Sequence, residues 1–266
     1  MMRQSRFILS ALAFGYAFLY IPLVSVVIYS FNDSRLATVW GGFSTRWYGE
    51  LLRNDEVLTA ALLSVRIAFT AATFATVLGT LGGLALARFG RFRGRTLFTG
   101  MLTSPLVMPE VITGLSLLLL FVSLQQLIGW PAQRGFSTIT IAHTTFAMAY
   151  VAVIVQSRLA AMDESLEEAA MDLGGRPLRV ALDITLPLIA PAMVAGWLLA
   201  FTLSLDDLVI ASFVSGPGGS TLPMLIFSKV KLGVTPDINA LATVIIVFVS
   251  LGVLIAWAVM RRSRPR

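Results

Sequence analysis

Residues 163–191 read DESLEEAAMDLGGRPLRVALDITLPLIAP, the longest strongly polar insertion between two hydrophobic segments of membrane grade. Six of the chain's fourteen acids lie in it: Asp163, Glu164, Glu167, Glu168, Asp172 and Asp183. Its first half has the pattern of a short amphipathic helix. Ser165 and Glu168 stand at the S-x-x-E spacing of a capping box, in which each side chain satisfies an orphan backbone donor at the helix start. Leu166, Ala169, Ala170 and Leu173 recur at i, i+3, i+4 and i+7 and form one narrow apolar face opposite the acids. Gly174-Gly175 supplies a left-handed stop, and Pro177 suits the first turn of a second short helix. A helical elbow outside the bilayer, with little to bury itself against, is expected to be a docking surface.

Composition sets the surroundings of that elbow. The 266 residues are 57% hydrophobic and 13% charged, with a mean hydropathy of +0.84. A soluble domain carries about a quarter charged residues. We therefore expect an all-α polytopic membrane protein, a single transmembrane domain over residues 1–266 with no room for a separate soluble module. The net charge of +6 comes from twenty bases, eighteen of them arginines scattered between hydrophobic segments. That distribution fits orientation in a bilayer better than nucleic-acid binding. Cysteine is absent, which excludes disulfides and thiolate metal sites. The N-terminal hydrophobic run lacks a small-residue cleavage signature after it and reads as a retained anchor.

A transmembrane helix needs roughly 20 mostly apolar residues. Six stretches qualify, at about 8–31, 65–87, 97–124, 137–157, 188–214 and 239–260, and residues 57–66 could extend the second along the interface. With both termini placed in the cytoplasm, thirteen bases fall in inside segments and six outside, which satisfies the positive-inside rule and puts the elbow, about 158–187, on the cytoplasmic face. The first outside loop, 32–56, carries Trp40, Phe43, Trp47 and Tyr48, either interfacial anchors or contacts for an extracytoplasmic partner. Residues 222–233, LPMLIFSKVKLG, form a short amphipathic segment too small to span, expected near the outer opening of the bundle.

Chemistry is missing. No G-x-x-x-x-G-K-[ST] phosphate loop exists, and the two lysines, Lys229 and Lys231, lie in an outside loop. One histidine, His143, cannot by itself make a zinc site and reads as a packing residue; no catalytic residue and no metal site are expected. Three acids nevertheless lie inside spans: Glu110 in the third, Asp206 and Asp207 in the fifth. A mid-membrane carboxylate costs roughly 2.5–3.5 kcal/mol on insertion scales, so such groups face the bundle interior or a watery path. Adjacent helical positions differ by about 100°, so Asp206 and Asp207 cannot point the same way. Glu110 and one of the two aspartates are expected to attract a cationic solute in a path, and the other aspartate to pair with a hydroxyl, a backbone group or a base such as Arg66. Structural acids joining helices are the alternative. Pro105 and Pro109 should break the third span just before Glu110, as in the interrupted helices that line transporter sites.

Glu168-Ala169-Ala170, then Gly174, then Ile184, Leu186 and Pro187, reproduce the spacing of the EAA loop. On these residues the chain resembles ABC-importer permeases of type I. The stretches PLVMPEVITGLSLLLLF (105–121), LSLDDLVIASFVSGPGG (203–219) and LPMLIFSKVKLGVTPDINALAT (222–243) are most similar to the spermidine/putrescine group, the putrescine-specific permeases above all. The resemblance implies six transmembrane helices in a bacterial inner membrane and a cytoplasmic coupling-helix loop seated on an ATPase. It also implies a second permease chain as heterodimeric partner, two ATPase subunits and a periplasmic polyamine-binding protein, with no nucleic acid. ATP and magnesium would belong to the ATPase, leaving no cofactor on this chain. A permease for another solute, a proton-coupled secondary transporter and a structural subunit of another assembly are the competing readings.

Overall fold

Long apolar runs fold as helices because a bilayer offers the backbone no other hydrogen-bonding partners. The computed structural model describes the backbone of residues 2–35, 39–233 and 235–262 and the side chains of residues 7–35, 39–233 and 235–251. In chain order the helices are α1 (Met2–Tyr29), α2 (Arg46–Leu51), α3 (Asp55–Arg88), α4 (Arg95–Val107), α5 (Glu110–Ile128), α6 (Phe136–Ala160), α7 (Ser165–Asp172) and α8 (Pro177–Val180). A π-helical turn, Ala181–Thr185, leads into α9 (Leu186–Leu205), followed by α10 (Val209–Val214), α11 (Leu222–Leu232) and α12 (Pro236–Arg262). The one sheet-like pairing among the described residues is an isolated antiparallel bridge, Asn32 to Phe43.

Five helices among the described residues are long and apolar enough to cross a membrane: Phe7–Tyr29, Asp55–Arg88, Glu110–Ile128, Phe136–Ala160 and Pro177–Leu205. The sixth expected span falls on α12, whose described apolar portion, Pro236–Leu251, is shorter. Two boundaries differ from the sequence expectation, the second and the fifth, while the third span breaks where its two prolines are expected to break it. The second span starts at Asp55, because Asp55 and Glu56 open a continuous helix and complement its positive end. The third is two helices, since Met108 and Pro109 are extended (ψ 136° and 134°). The fifth is interrupted at residues 206–208 between α9 and α10. In the charge count, the side chains of Arg3, Arg6, Arg261 and Arg262, and Arg264 and Arg266 altogether, lie outside the described residues.

The chain forms two compact units, Met1–Leu58 with Ile226–Arg266, and Thr59–Leu225. In the first, α1 and α2 each pack on α12. The described side chains of residues 7–24 are all exposed, as befits a helix that is apolar on every side. Trp47 departs from its expected role as an interfacial anchor. It is buried, and its Nε1 donates to the Asn32 carbonyl (2.7 Å), while the Asn32 side chain donates to Val39 O and accepts from Gly41 N.

The second unit is built around α6. Ala147, Val151, Val155 and Leu159 of α6 pack with Ala72 and Ala75 of α3 and Ile189 and Ala200 of α9. Ile139, Ala142 and Phe146 pack with Ile67, Phe121 and Ile210 at the other end of α6. The crossing of α3 over α6 depends on glycine. A Cβ at Gly79 would lie 2.7 Å from Val151 Cβ, and one at Gly83 would lie 3.0 Å from the Ala152 carbonyl oxygen. Two glycines four apart let the helix backbones approach each other.

Candidate coupling elbow and intramembrane carboxylates

The elbow forms as the sequence predicts, with one correction at its start. Ser165 is the first residue of α7 rather than its cap, and no capping box joins it to Glu168. Asp163 does that work: its Oδ1 accepts from the Ser165 N–H (3.0 Å). A carboxylate two residues ahead reaches the free amide that a serine in the first turn cannot. That N–H, with help from the Ser165 hydroxyl, holds the exposed Asp163 carboxyl below the usual carboxylate range. Gly174 stops α7 at φ +89°, its N–H donating to Met171 O and that of Gly175 to Ala170 O. Pro177 opens α8.

Pro187 explains the π-helical turn that follows. It has no N–H to give, and its ring crowds the carbonyl four residues back, here that of Asp183. Widening the turn over Ala181–Thr185, which contains Ile184, accommodates Leu186 and Pro187 at the start of α9 without ending the helix. The elbow presents Leu166, Met171, Leu173, Leu178 and Leu182 as exposed large apolar side chains beside exposed Glu168 and Ala169, with Ala170 half-buried. Helix α7 itself buries no residue.

Polar bonds hold the elbow in place. Arg88, the last residue of α3, donates from Nε to Glu167 Oε2 (2.8 Å) and from Nη1 to Glu164 Oε1 (3.1 Å). Glu167 Oε1 accepts from the Thr185 hydroxyl (2.8 Å). Nothing in local spacing signals this cluster, because Arg88 and Glu167 are 79 residues apart. In the sequence, Arg88 counts only as an orienting charge.

The three acids expected inside spans occupy different settings: Glu110 opens one apolar helix, and Asp206 and Asp207 follow directly on another, which ends at Leu205. Glu110 lies in the first turn of α5, just past the break, and is exposed. Asp206 ends α9 and is exposed. Neither forms a salt bridge among the described residues. Asp207 is the one that pairs, with His143 rather than Arg66; its side chain is 7% exposed and that of His143 2%. Asp207 Oδ1 accepts from the Ala211 N–H (2.8 Å) and meets His143 Nε2 (3.1 Å), while His143 Nδ1 meets the Ser204 hydroxyl (2.6 Å). Since the carboxylate Oδ1 is an acceptor, the Nε2 facing it carries a proton.

Serine, histidine and aspartate are thus brought together, although no spacing in the chain announces it. Their order on the ring is the reverse of a hydrolytic triad, where serine meets Nε2 and the carboxylate Nδ1. Ser204 is also buried inside the helix packing. The group is a latch across the break between α9 and α10, fastened to α6. Among the described residues no three His, Cys, Asp or Glu side chains are grouped to hold a metal.

Comparison with known proteins agrees with this architecture. Residues 75–266 match the family model described as binding-protein-dependent transport system inner membrane component. The chain is 63% identical over 255 residues to the putrescine transport system permease protein PotI of Escherichia coli (strain K12), covering 96% of this chain and 91% of that one. It is 44% identical over 251 residues to the spermidine/putrescine transport system permease protein PotC of the same strain, covering 94% and 92%. Among solved structures, a bacterial ABC transporter involved in the import of the acidic polysaccharide alginate shares the fold with a TM-score of 0.71 at 16% identity, over 100% of this chain and 98% of that one. The family match and the two permease identities together place the chain: it belongs to the inner-membrane components of binding-protein-dependent transport systems, the non-catalytic permease subunits of ABC importers.

Proposed function

We propose that this chain is one half of the transmembrane pathway of an ATP-driven importer that brings putrescine across a bacterial inner membrane, as a single permease domain with both termini in the cytoplasm. A second permease chain completes the pathway. Two ATPase subunits, which bind the ATP and magnesium, work it from the cytoplasm, and a periplasmic binding protein delivers the solute. The observation that carries the choice of solute is the 63% identity to a putrescine permease over nearly the whole chain.

The elbow is the coupling element. Glu168, Ala169 and Ala170 lie on α7, Gly174 sets the turn, and Ile184, Leu186 and Pro187 join it to α9. Five exposed apolar side chains on so short a segment suit a seat in a cleft of another protein. Closure of the ATPase pair displaces the elbow and shifts the permeases between inward-facing and outward-facing states, whose balance a ligand alters only by its differential affinity. Glu110 and Asp206, exposed at the two helix breaks, are the carboxylates suited to attract a dication, while Asp207 serves the latch. Competition among putrescine, spermidine and unrelated solutes in proteoliposomes tests the solute, with putrescine expected to compete best. A cross-linker on a cysteine introduced at Ala169 is expected to capture the ATPase; a single ATPase-free product would refute the coupling assignment.

A further inference from the structure

The apolar content of α7 cannot fix its position, since none of its residues is buried. What ties it to the rest of its unit is the polar cluster centred on Glu167. One carboxylate oxygen is bound to Arg88 at the end of α3 and the other to Thr185 in the π-helical turn ahead of α9. Both partners sit on elements that reach into the α6 core, through Ala72 and Ala75 on α3 and Ile189 and Ala200 on α9. The end of α3 is itself braced, because Arg95 at the start of α4 donates to Leu86 O (2.7 Å) and Gly90 O. A cation at a helix C-terminus also complements the free carbonyls there.

We propose that Arg88 is a positioning residue for transport: with Glu167 it forms a strut that carries displacement of the coupling elbow into α3, while Thr185 carries it into α9. The proposal rests on the assignment of the elbow to the ATPase. Two features distinguish the strut from an ordinary surface ion pair. The side chains of Arg88 and Glu167 are only 16% and 13% exposed, so the pair is little screened, and Glu167 is held at both oxygens, by Arg88 Nε on one and the Thr185 hydroxyl on the other. Glu164, the other carboxylate on Arg88, is 65% exposed and plays a minor part. With no buried residue of its own, α7 is joined to α3 and to the turn ahead of α9 by these polar tethers in addition to the chain on either side of it.

The test uses the whole transporter in proteoliposomes and reads solute moved per ATP hydrolysed, a ratio that a loss of folded protein does not change. Arg88→Ala and Glu167→Gln are expected to lower the ratio about tenfold, Arg88→Lys to recover part of it, and Glu164→Gln to leave it within about twofold of wild type. Thr185→Val, which keeps the shape of the side chain and the ion pairs, gives a reading should Arg88→Ala fail to assemble, and it too should lower the ratio. Each variant also carries Ala169→Cys for capture of the ATPase. An unchanged ratio in Arg88→Ala and Glu167→Gln, with capture intact, overturns the strut and leaves the coupling assignment standing. Transport and capture lost in proportion, at an unchanged ratio, would make Arg88 merely structural. Failure of capture in the otherwise wild-type chain overturns both.

Discussion

His143→Ala removes the ring that joins α6 to the break between α9 and α10. In a water-soluble interior the bond to a carboxylate contributes about 1.5–3 kcal/mol and the bond to a neutral hydroxyl about 0.5–1.5 kcal/mol. Inside a bilayer those values shrink, because the unfolded reference also finds partners: double-mutant cycles there average about 0.6 kcal/mol with a maximum near 1.7. Asp207 is 7% exposed and its Oδ1 keeps the Ala211 N–H when the ring is lost, so the acceptor is weakened without being orphaned. The coupling energy between His143 and Asp207 should therefore fall near the upper membrane figure, about 1.5 kcal/mol. The assay is a cycle of His143→Ala, Asp207→Ala and the double variant, unfolded in mixed micelles by increasing denaturing detergent. His143→Ala alone should lose more than the coupling, about 2–4 kcal/mol, from the cavity and the second bond. A coupling below about 0.5 kcal/mol, the level at which independent sites add, would refute the latch.

Three further outcomes test other parts of the fold. Gly79→Leu drives a side chain into Val151, whose Cβ lies 2.7 Å from the new Cβ, and should lower stability by about 1–3 kcal/mol in the same unfolding assay, with Gly82→Ala costing less. Gly174→Val meets no atom within 4 Å but must hold φ +89°, a cost of about 1–2 kcal/mol for an L-residue; membrane insertion should persist while uptake collapses, and normal uptake with normal ATPase coupling would contradict the lever. Because the folded-state pKa of Asp163 is depressed, its support of the α7 start is present above its unfolded pKa and is lost as pH falls through the lower folded value. The protection of the Ser165 amide relative to its intrinsic exchange rate at each pH should fall over that acid limb, and Asp163→Asn should abolish the limb.

How much was legible in the sequence depended on range. Gly174 and Pro177 act on their immediate neighbours, and each can be read from its own chemistry, whereas Pro187 enters only through the spacing of the loop, and the π-helical turn ahead of it is not anticipated. The broken third span was equally local, two prolines four apart with Glu110 behind them. The capping box failed because two spacings competed for one amide, and Asp163, closer along the chain than any pattern beginning at Ser165 allows, had the better reach. Arg88 with Glu167 and His143 with Asp207 were out of reach altogether: partners separated by 79 and 64 residues leave no periodic trace. Counting Arg88 as an inside charge says nothing of what it grips.

The helix breaks and the intramembrane acids have a common physical origin. An interrupted helix in a bilayer exposes the first N–H groups of the segment that follows, and these have no water to turn to. A carboxylate at that point complements the positive end of the new segment. Glu110 stands in the first turn of α5, and Asp207 binds the Ala211 amide in the first turn of α10. Two of the three intramembrane acids are thereby accounted for before any solute is invoked. Asp206 is different. It closes α9, at the negative end of a helix where a carboxylate is disfavoured, it is exposed, and it forms no salt bridge among the described residues. No ion pair among the described residues offsets that cost, so of the three it is the acid whose neutralisation should weaken uptake of a dication without loosening the fold. Asp206→Asn that left the apparent affinity for putrescine unchanged in transport assays would remove it from the path.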